Sequence, residues 1–276
     1  MTLSERNTFF KAGIFFCGVI ILLILAASFL VVPFYPEIGE NTLRPGNIFQ
    51  AVTGRISGNN YYAVHTALAL AVIFSFIGMI LIHSFFERTP TPEILYIAFF
   101  TLSLSFEALR LILPLQMIQN FPSFYVRIAA RVMLFARFFG IFSLFTAGLC
   151  AAGMDVQKTR NAVFIIIVAV MTIILGVPID VYTWDTGLNL ISGYTSMFRM
   201  VDILVFVTTI TSFFIAAKVR DSKEYVYAAV GVMFALIGRN ILLGTDNWTG
   251  IIQGILMLSF GTWFLCQKVH KIYLWL

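Results

Sequence analysis

Charged residues are scarce in this chain, and that scarcity decides its class. Asp, Glu, Lys and Arg make up 11% of the 276 residues, whereas 60% are hydrophobic and the mean hydropathy is +0.93. Soluble domains carry about 25% charged and about 45–50% apolar residues. A composition so short of charge excludes an ordinary soluble domain and predicts a protein whose main partner is the lipid bilayer.

The sequence also lacks the motifs by which many enzymes are recognised. It contains no GxxxxGK[ST] loop, no GxSxG elbow and no HExxH helix. Its histidines, His65, His83 and His270, fall on different predicted spans or tails, which is unlike a haem or zinc site. We therefore expect neither a metal nor a cofactor, and the sequence assigns no catalytic residue.

Cysteine is equally rare. Cys17, Cys150 and Cys266 all map to the predicted inner half of the membrane, which predicts free thiols that pack as small residues. The net charge of +5 is not accompanied by a basic face with aromatic readers outside the membrane, so we expect no nucleic-acid partner.

Long apolar runs fill most of the chain. Each run is close to the length of about 20 residues that a helix needs to cross a bilayer. The runs are continuous and rich in Phe, Leu and Ile, unlike the alternating strands of a membrane barrel. The predicted fold class is therefore all-α, a polytopic membrane protein of about eight spans: Ala12–Val32, Tyr62–Phe85, Glu93–Leu113, Ile128–Ala152, Ala162–Val181, Val201–Ala217, Tyr225–Leu243 and Thr249–Cys266.

Basic residues are distributed unevenly between alternate loops. Every lysine falls at a terminus or in the loops on the same side as the termini, and the opposite loops contain only Arg44, Arg55, Arg127 and Arg199. Because lysine-rich and arginine-rich loops remain in the cytoplasm, we predict a plasma-membrane protein with both termini cytoplasmic. The predicted outer segments are residues 34–61, 114–127, 182–200 and 244–248.

The two halves of the chain share short motifs in the same order. The matching pairs include Arg6-Asn7 with Arg160-Asn161, Val32-Pro33 with Val177-Pro178, and Arg110 with Arg239. This order predicts a tandem duplication within one membrane domain, with four-helix units at residues 1–155 and 156–276. Units with an even number of spans have the same orientation, as in parallel-repeat transporters. The alternative is a chance alignment of two Phe-rich halves with basic inner loops.

Six ionisable residues lie inside the predicted spans, all towards their outer ends: Glu107, Arg110, Arg131, Arg137, Asp202 and Arg239. An unpaired charge in lipid is costly, so we expect these residues to converge on one outward-facing cavity. Four arginines against two acids leave a positive excess, and arginine binds carboxylate or phosphate through two hydrogen bonds. The predicted ligand is an anion; the alternative is that the arginines pair between helices or snorkel to the interface.

The two long outer loops have two interpretations. The loops at 34–61 and Pro178–Met200 are longer than ordinary connectors and are predicted to cap the bundle or to form an aromatic belt.

Gly250-x-x-x-Gly254 predicts close helix packing. Asn247-Trp248-Thr249 matches a glycosylation sequon in a short loop.

Three classes of function remain open. The first is a protein that binds or transports an anionic or amphiphilic small molecule or a lipid, although few polar groups mark a path through the inner half. The second is a sensory or regulatory subunit that needs a protein partner, since only a short tail follows the last predicted span; a homo-oligomer is also left open. The third is a membrane enzyme acting on lipid, with Glu107, Asp180 or Asp202 as acid or base.

Overall fold

The computed structural model describes residues 3–34, 60–87, 91–154, 159–185 and 187–274. A 3₁₀ helix at Leu104–Leu111 joins α3 to α4, and a second one at Val32–Phe34 follows α1. The α-helices of this part of the chain are α1 (Leu3–Val31), α2 (Tyr61–Phe86), α3 (Pro92–Ser103), α4 (Ile112–Gln119), α5 (Ser123–Ala151), α6 (Thr159–Leu175), α7 (Thr195–Val219), α8 (Glu224–Gly244) and α9 (Trp248–Leu274).

Seven helices of the described chain are long and apolar enough to cross a bilayer, with α3, the 3₁₀ helix and α4 counted as one. Large apolar side chains such as Phe15, Leu22 and Phe29 on α1 are exposed, as expected of a surface that contacts lipid. The prediction of a helical protein with several membrane-length helices is confirmed. The count of eight spans stays a prediction, since α6 has only 17 residues.

The fifth predicted span, Ala162–Val181, extends too far. Helix α6 ends at Leu175, and the chain becomes a strand at Ile179. Gly176 and Pro178 account for the early end, because glycine weakens a helix and proline cannot donate the next backbone hydrogen bond.

Both ends of the described chain lie at the same end of the helix bundle, which we call the terminal end. Arg6 Nη2, near the start of α1, donates a 2.7 Å hydrogen bond to the Phe86 carbonyl at the end of α2. Lys271 Nζ, near the end of α9, lies 2.7 Å from Glu224 Oε1 at the start of α8. The opposite end, which we call the loop end, is marked by a 3.0 Å backbone hydrogen bond from Asn60 to Asp246.

A short β-hairpin lies in the connection between α6 and α7, which the all-α prediction did not include. Strands β1 (Ile179–Trp184) and β2 (Leu190–Ser192) pair antiparallel. Leu188, in the turn between them, has φ +57° and is buried in an apolar cluster with Leu68 and Leu111. The hairpin turn is therefore inserted into the loop end of the bundle.

Helices α8 and α9 pack unusually close through glycines spaced seven residues apart. A Cβ atom added at Gly231 of α8 would lie 2.9 Å from the Leu265 nitrogen, and one added at Gly254 of α9 would lie 2.7 Å from the Leu242 nitrogen. Gly238 and Gly261 make equivalent backbone contacts. Small residues permit this approach in membrane helices.

The two glycines of the predicted Gly250-x-x-x-Gly254 motif make different contacts. Gly254 contacts α8, whereas Gly250 packs over its own loop at Thr245 and Asn247. Asn247 Oδ1 accepts a 2.8 Å hydrogen bond from the Gly250 N–H and so caps the start of α9. The asparagine of the sequon therefore has a structural role in this fold.

The tandem duplication stays a prediction. Helix α1 packs against α2, whereas α6, its proposed counterpart, packs against α5. Part of the proposed motif set falls outside the described residues, including the whole of 35–59 with Arg44 and Arg55, and also Arg88 and Lys158. The side chain of Asp180, the third possible acid or base, lies outside them as well.

Candidate functional site

Glu107 is held by two arginines in the middle of the bundle. Arg137 donates to it through two parallel hydrogen bonds, Nε to Oε1 at 2.7 Å and Nη2 to Oε2 at 2.8 Å. Arg110 Nε lies 2.8 Å from Glu107 Oε2 on the other side. The Glu107 and Arg110 side chains are each 2% exposed. A bidentate pair of this kind is both strong and geometrically specific.

The 3₁₀ helix at Leu104–Leu111 explains why Glu107 and Arg110 meet. A 3₁₀ helix has three residues per turn, so side chains three residues apart are eclipsed. Ile112 N–H donates to the Leu109 carbonyl, three residues earlier, and Pro114 has no N–H for the Arg110 carbonyl. Proline thus favours the tighter turn that aligns the two charges.

The hairpin turn supplies further hydrogen-bond acceptors to both arginines. Arg110 Nη1 donates to the carbonyl of Gly187 at 3.2 Å and to that of Leu243 at 3.0 Å. Arg137 Nη2 also donates to Asn189 Oδ1 at 2.7 Å. Oxygen atoms of the turn and of α8 therefore accept hydrogen bonds from the buried Arg110 and the partly exposed Arg137.

Arg239 of α8 is the third arginine of this network, and it is buried. Its Nη2 donates to the Arg137 carbonyl at 3.2 Å, and its Nη1 lies 3.2 Å from the Asn240 side-chain oxygen. Arg239 Nε is buried and has no hydrogen-bond partner among the described residues. A buried guanidinium with unused donors is unfavourable unless something else binds it.

A cavity of about 360 Å³ opens beside this network, between α5, the hairpin, α7 and α8. Its charged lining residues are Arg137, Arg199, Asp202 and Arg239, and its amide groups come from Asn189 and Asn240. Apolar side chains of Met133, Leu134, Phe138 and Phe198 form much of the remaining wall. A mixture of apolar walls and a few convergent polar groups is typical of small-molecule sites.

The charge of the site is unbalanced. Together with Glu107 and Arg110 behind the wall, the site contains four arginines and two acids, a formal excess of two positive charges. Arg137 Nη1 forms no hydrogen bond with the described residues, and its side chain is 21% exposed. The arrangement thus offers unused cationic donors to a ligand in the cavity.

Of the six residues predicted for the site, the structure brings five together. Arg137, Asp202 and Arg239 line the cavity, and Glu107 and Arg110 lie directly behind Arg137. Arg131 is half-buried elsewhere on α5 and is not among the described residues that line the cavity. A ligand-binding role for the set stays a prediction.

Sequence reasoning missed three residues of the site. Arg199 was read only as a loop residue in the charge pattern, and Asn189 and Asn240 carry no charge that would mark them in an apolar context. Asn240 follows Arg239 directly, so an adjacent polar residue inside a span was an available signal. Asn189 had none, because its place depends on the fold of the hairpin.

A second cavity of about 400 Å³ lies on the bundle surface between α2 and α9, with Thr101 of α3 in its wall. The side chains that line it are mostly apolar, among them Phe74, Ile77 and Trp263, and none is charged. It therefore has no means of recognising an ion.

The Ser and Thr hydroxyl groups in the inner half of the predicted spans donate hydrogen bonds to backbone carbonyls of their own helices. Thr209 Oγ1 donates to the Val205 carbonyl at 2.6 Å, and Ser212 Oγ donates to the Thr209 carbonyl at 2.6 Å. Ser103 likewise donates to the Phe100 carbonyl at 2.7 Å. Each of these hydroxyl groups therefore uses its hydrogen-bond donor within its own helix.

Comparison with known proteins gives no function for this site. No family model matches the chain, and no solved structure matches it. A protein of Treponema pallidum (strain Nichols), described only as uncharacterized, is 19% identical over 239 residues, and the match covers 69% of each chain.

Proposed function

We propose that this protein binds an anionic or amphiphilic small molecule in the cavity between α5, α7 and α8. The observation that carries the proposal is the convergence of Arg137, Arg199 and Arg239 on one cavity, with a donor on Arg137, Nη1, that no described residue uses. Guanidinium groups suit carboxylate and phosphate oxygens, and the apolar walls suit the rest of an amphiphile.

Binding is favoured over transport in this proposal. A transported ion needs polar groups along the whole route, and the inner-half hydroxyls bond to their own backbones. A cavity lined by three helices is compatible with a sensory or storage role, in which a bound ligand alters the packing of α5, α7 and α8.

Arg199 provides the sharpest test, because it is exposed, lines the cavity and holds no other described residue in place. Arg199→Gln should weaken the binding of hexanoate or inorganic phosphate roughly two- to fivefold, the effect of one exposed charge. The measurement is isothermal titration calorimetry on protein in nanodiscs at low ionic strength, since salt screens such charges.

Arg127→Gln is the matched control. Arg127 is also an exposed arginine near the start of α5, and it does not line the cavity. Anion affinity should be unchanged in this variant. Equal losses in the two variants, or the lack of saturable binding of either anion by the unaltered protein, would contradict the proposal.

A further inference from the structure

Asp202 of α7 lines the same cavity as the arginines but makes no direct hydrogen bond or ion pair with them. Its carboxylate forms no ion pair or hydrogen bond with the described residues, although Arg137 and Arg239 line the same wall. The side chain is partly buried. A carboxylate that is partly removed from water without a partner is unfavourable, and a bound cation relieves that cost.

We infer that the ligand is a zwitterion, a small molecule with one ammonium group and one oxyanion. This inference rests on the proposed anion-binding function and adds a second recognition element to it. Arg137 Nη1 binds the oxyanion beside the positive charges of Arg199 and Arg239, and Asp202 accepts hydrogen bonds from the ammonium group.

The size and lining of the cavity agree with such a ligand. Its volume of about 360 Å³ is at the lower end of the range for small-molecule sites, roughly 300–1,000 Å³. Met133, Phe138 and Phe198 supply an apolar surface for the uncharged part of the molecule. Two sources share this chemistry: a free amino acid with an apolar side chain, and the phosphoethanolamine headgroup of a lipid.

The test compares each zwitterion with analogues that lack one of its charged groups. In the first arm, L-leucine is compared with 4-methylpentanoate, which lacks the ammonium group, and with 3-methylbutylamine, which lacks the carboxylate. In the second arm, glycerophosphoethanolamine is compared with glycerophosphoethanol, a phosphodiester that lacks the ammonium group. Affinities are measured by calorimetry in nanodiscs for the unaltered protein and for Asp202→Asn, Asp202→Glu and Asp221→Asn.

The unaltered protein should bind the zwitterion of one arm more tightly than its singly charged analogues. Asp202→Asn should weaken that zwitterion roughly tenfold to a hundredfold, the effect of a lost charged hydrogen bond, while the anionic analogue binds equally or more tightly. Asp202→Glu should retain the preference for the zwitterion. Asp221→Asn, an exposed aspartate at the terminal end, should change nothing. A preference for leucine would identify the ligand as a free amino acid, and a preference for glycerophosphoethanolamine would identify it as a lipid headgroup.

Two results would overturn the inference and leave the anion site intact. One is a tighter binding of both zwitterion and anion by Asp202→Asn, which would show that Asp202 only repels the ligand. The other is binding of hexanoate or phosphate without binding of either zwitterion. If none of these molecules binds, the proposed function fails together with the inference.

Discussion

Glu107 shares its two carboxylate oxygens between Arg110, which is almost fully buried, and Arg137, whose side chain is 21% exposed. Neutralising Glu107 would leave two neighbouring cations without their common partner. Removal of one member of a buried ion pair costs about 3–5 kcal/mol, because the remaining charge stays desolvated. We therefore expect Glu107→Gln to lower the free energy of unfolding by about that amount, measured by chemical denaturation in detergent.

Glu224→Gln is the control for Glu107. Glu224 also contacts two cations, with its oxygens 3.0 Å from Lys268 Nζ and 2.7 Å from Lys271 Nζ, but its side chain is 23% exposed at the terminal end. Exposed ion pairs contribute up to about 1 kcal/mol. Similar losses for the two variants would show that burial does not govern the Glu107 network.

The sequence predicts the grouping of these charged residues but not which of them pair. The cost of charge in lipid was enough to predict that Glu107, Arg110, Arg137, Asp202 and Arg239 lie together. It did not distinguish Arg137 as the bidentate partner of Glu107 from Arg137 as a ligand-binding residue. In the structure Arg137 both binds Glu107 and lines the cavity, so Arg199 is the better residue on which to test binding.

At the scale of elements, the close contact of α8 and α9 depends on residues without side chains. A Cβ atom at Gly238 would lie 2.8 Å from the Met257 carbonyl carbon and 2.9 Å from the Gly254 oxygen. These are backbone atoms, so relief requires the two helices to separate. We expect Gly238→Ala to destabilise the protein by about 1–3 kcal/mol, measured as a lower midpoint of thermal unfolding in detergent.

Gly244 of the same helix provides a matched substitution. A Cβ atom added there meets no atom within 4 Å. Gly244→Ala should therefore leave the unfolding midpoint almost unchanged. A loss in Gly244→Ala as large as that in Gly238→Ala would mean that backbone flexibility, and not helix contact, sets the effect.

The hairpin is the element that the sequence did not reveal. Its strands are short, and the turn around Leu188 contains no strong hairpin dipeptide such as Asn-Gly. Its position is fixed by long-range contacts, since Gly187 and Asn189 bind arginines on other elements and Leu188 enters an apolar cluster. Such contacts leave no periodic signal in the sequence.

At the scale of the whole molecule, the alternating direction of the helices places both termini at one end. We expect a cysteine introduced at Lys223, at the terminal end, to be protected from an impermeant thiol reagent added to intact cells. A cysteine at Tyr194, at the start of α7, should be labelled. Both substitutions are made in a chain without Cys17, Cys150 and Cys266, and both positions are exposed. Labelling of the first position and protection of the second would reverse the predicted orientation.

The sequence by itself determined the class of protein and the approximate position of its helices. Hydropathy and helix length are properties of local segments, so apolar runs bounded by charge, glycine and proline locate membrane-length helices without knowledge of their neighbours. The same local information indicated which charges are costly in lipid.

Only the tertiary structure decided which of those charges meet, and what closes the site. Glu107 and Arg137 are 30 residues apart, and Arg110 bonds the carbonyl of Leu243 at a separation of 133 residues. Asn189 joins them from a hairpin whose turn, at Leu188, is buried by residues of elements that precede it in the chain. Pairings over such distances depend on the packing of whole helices, and a linear pattern of hydropathy does not contain that packing.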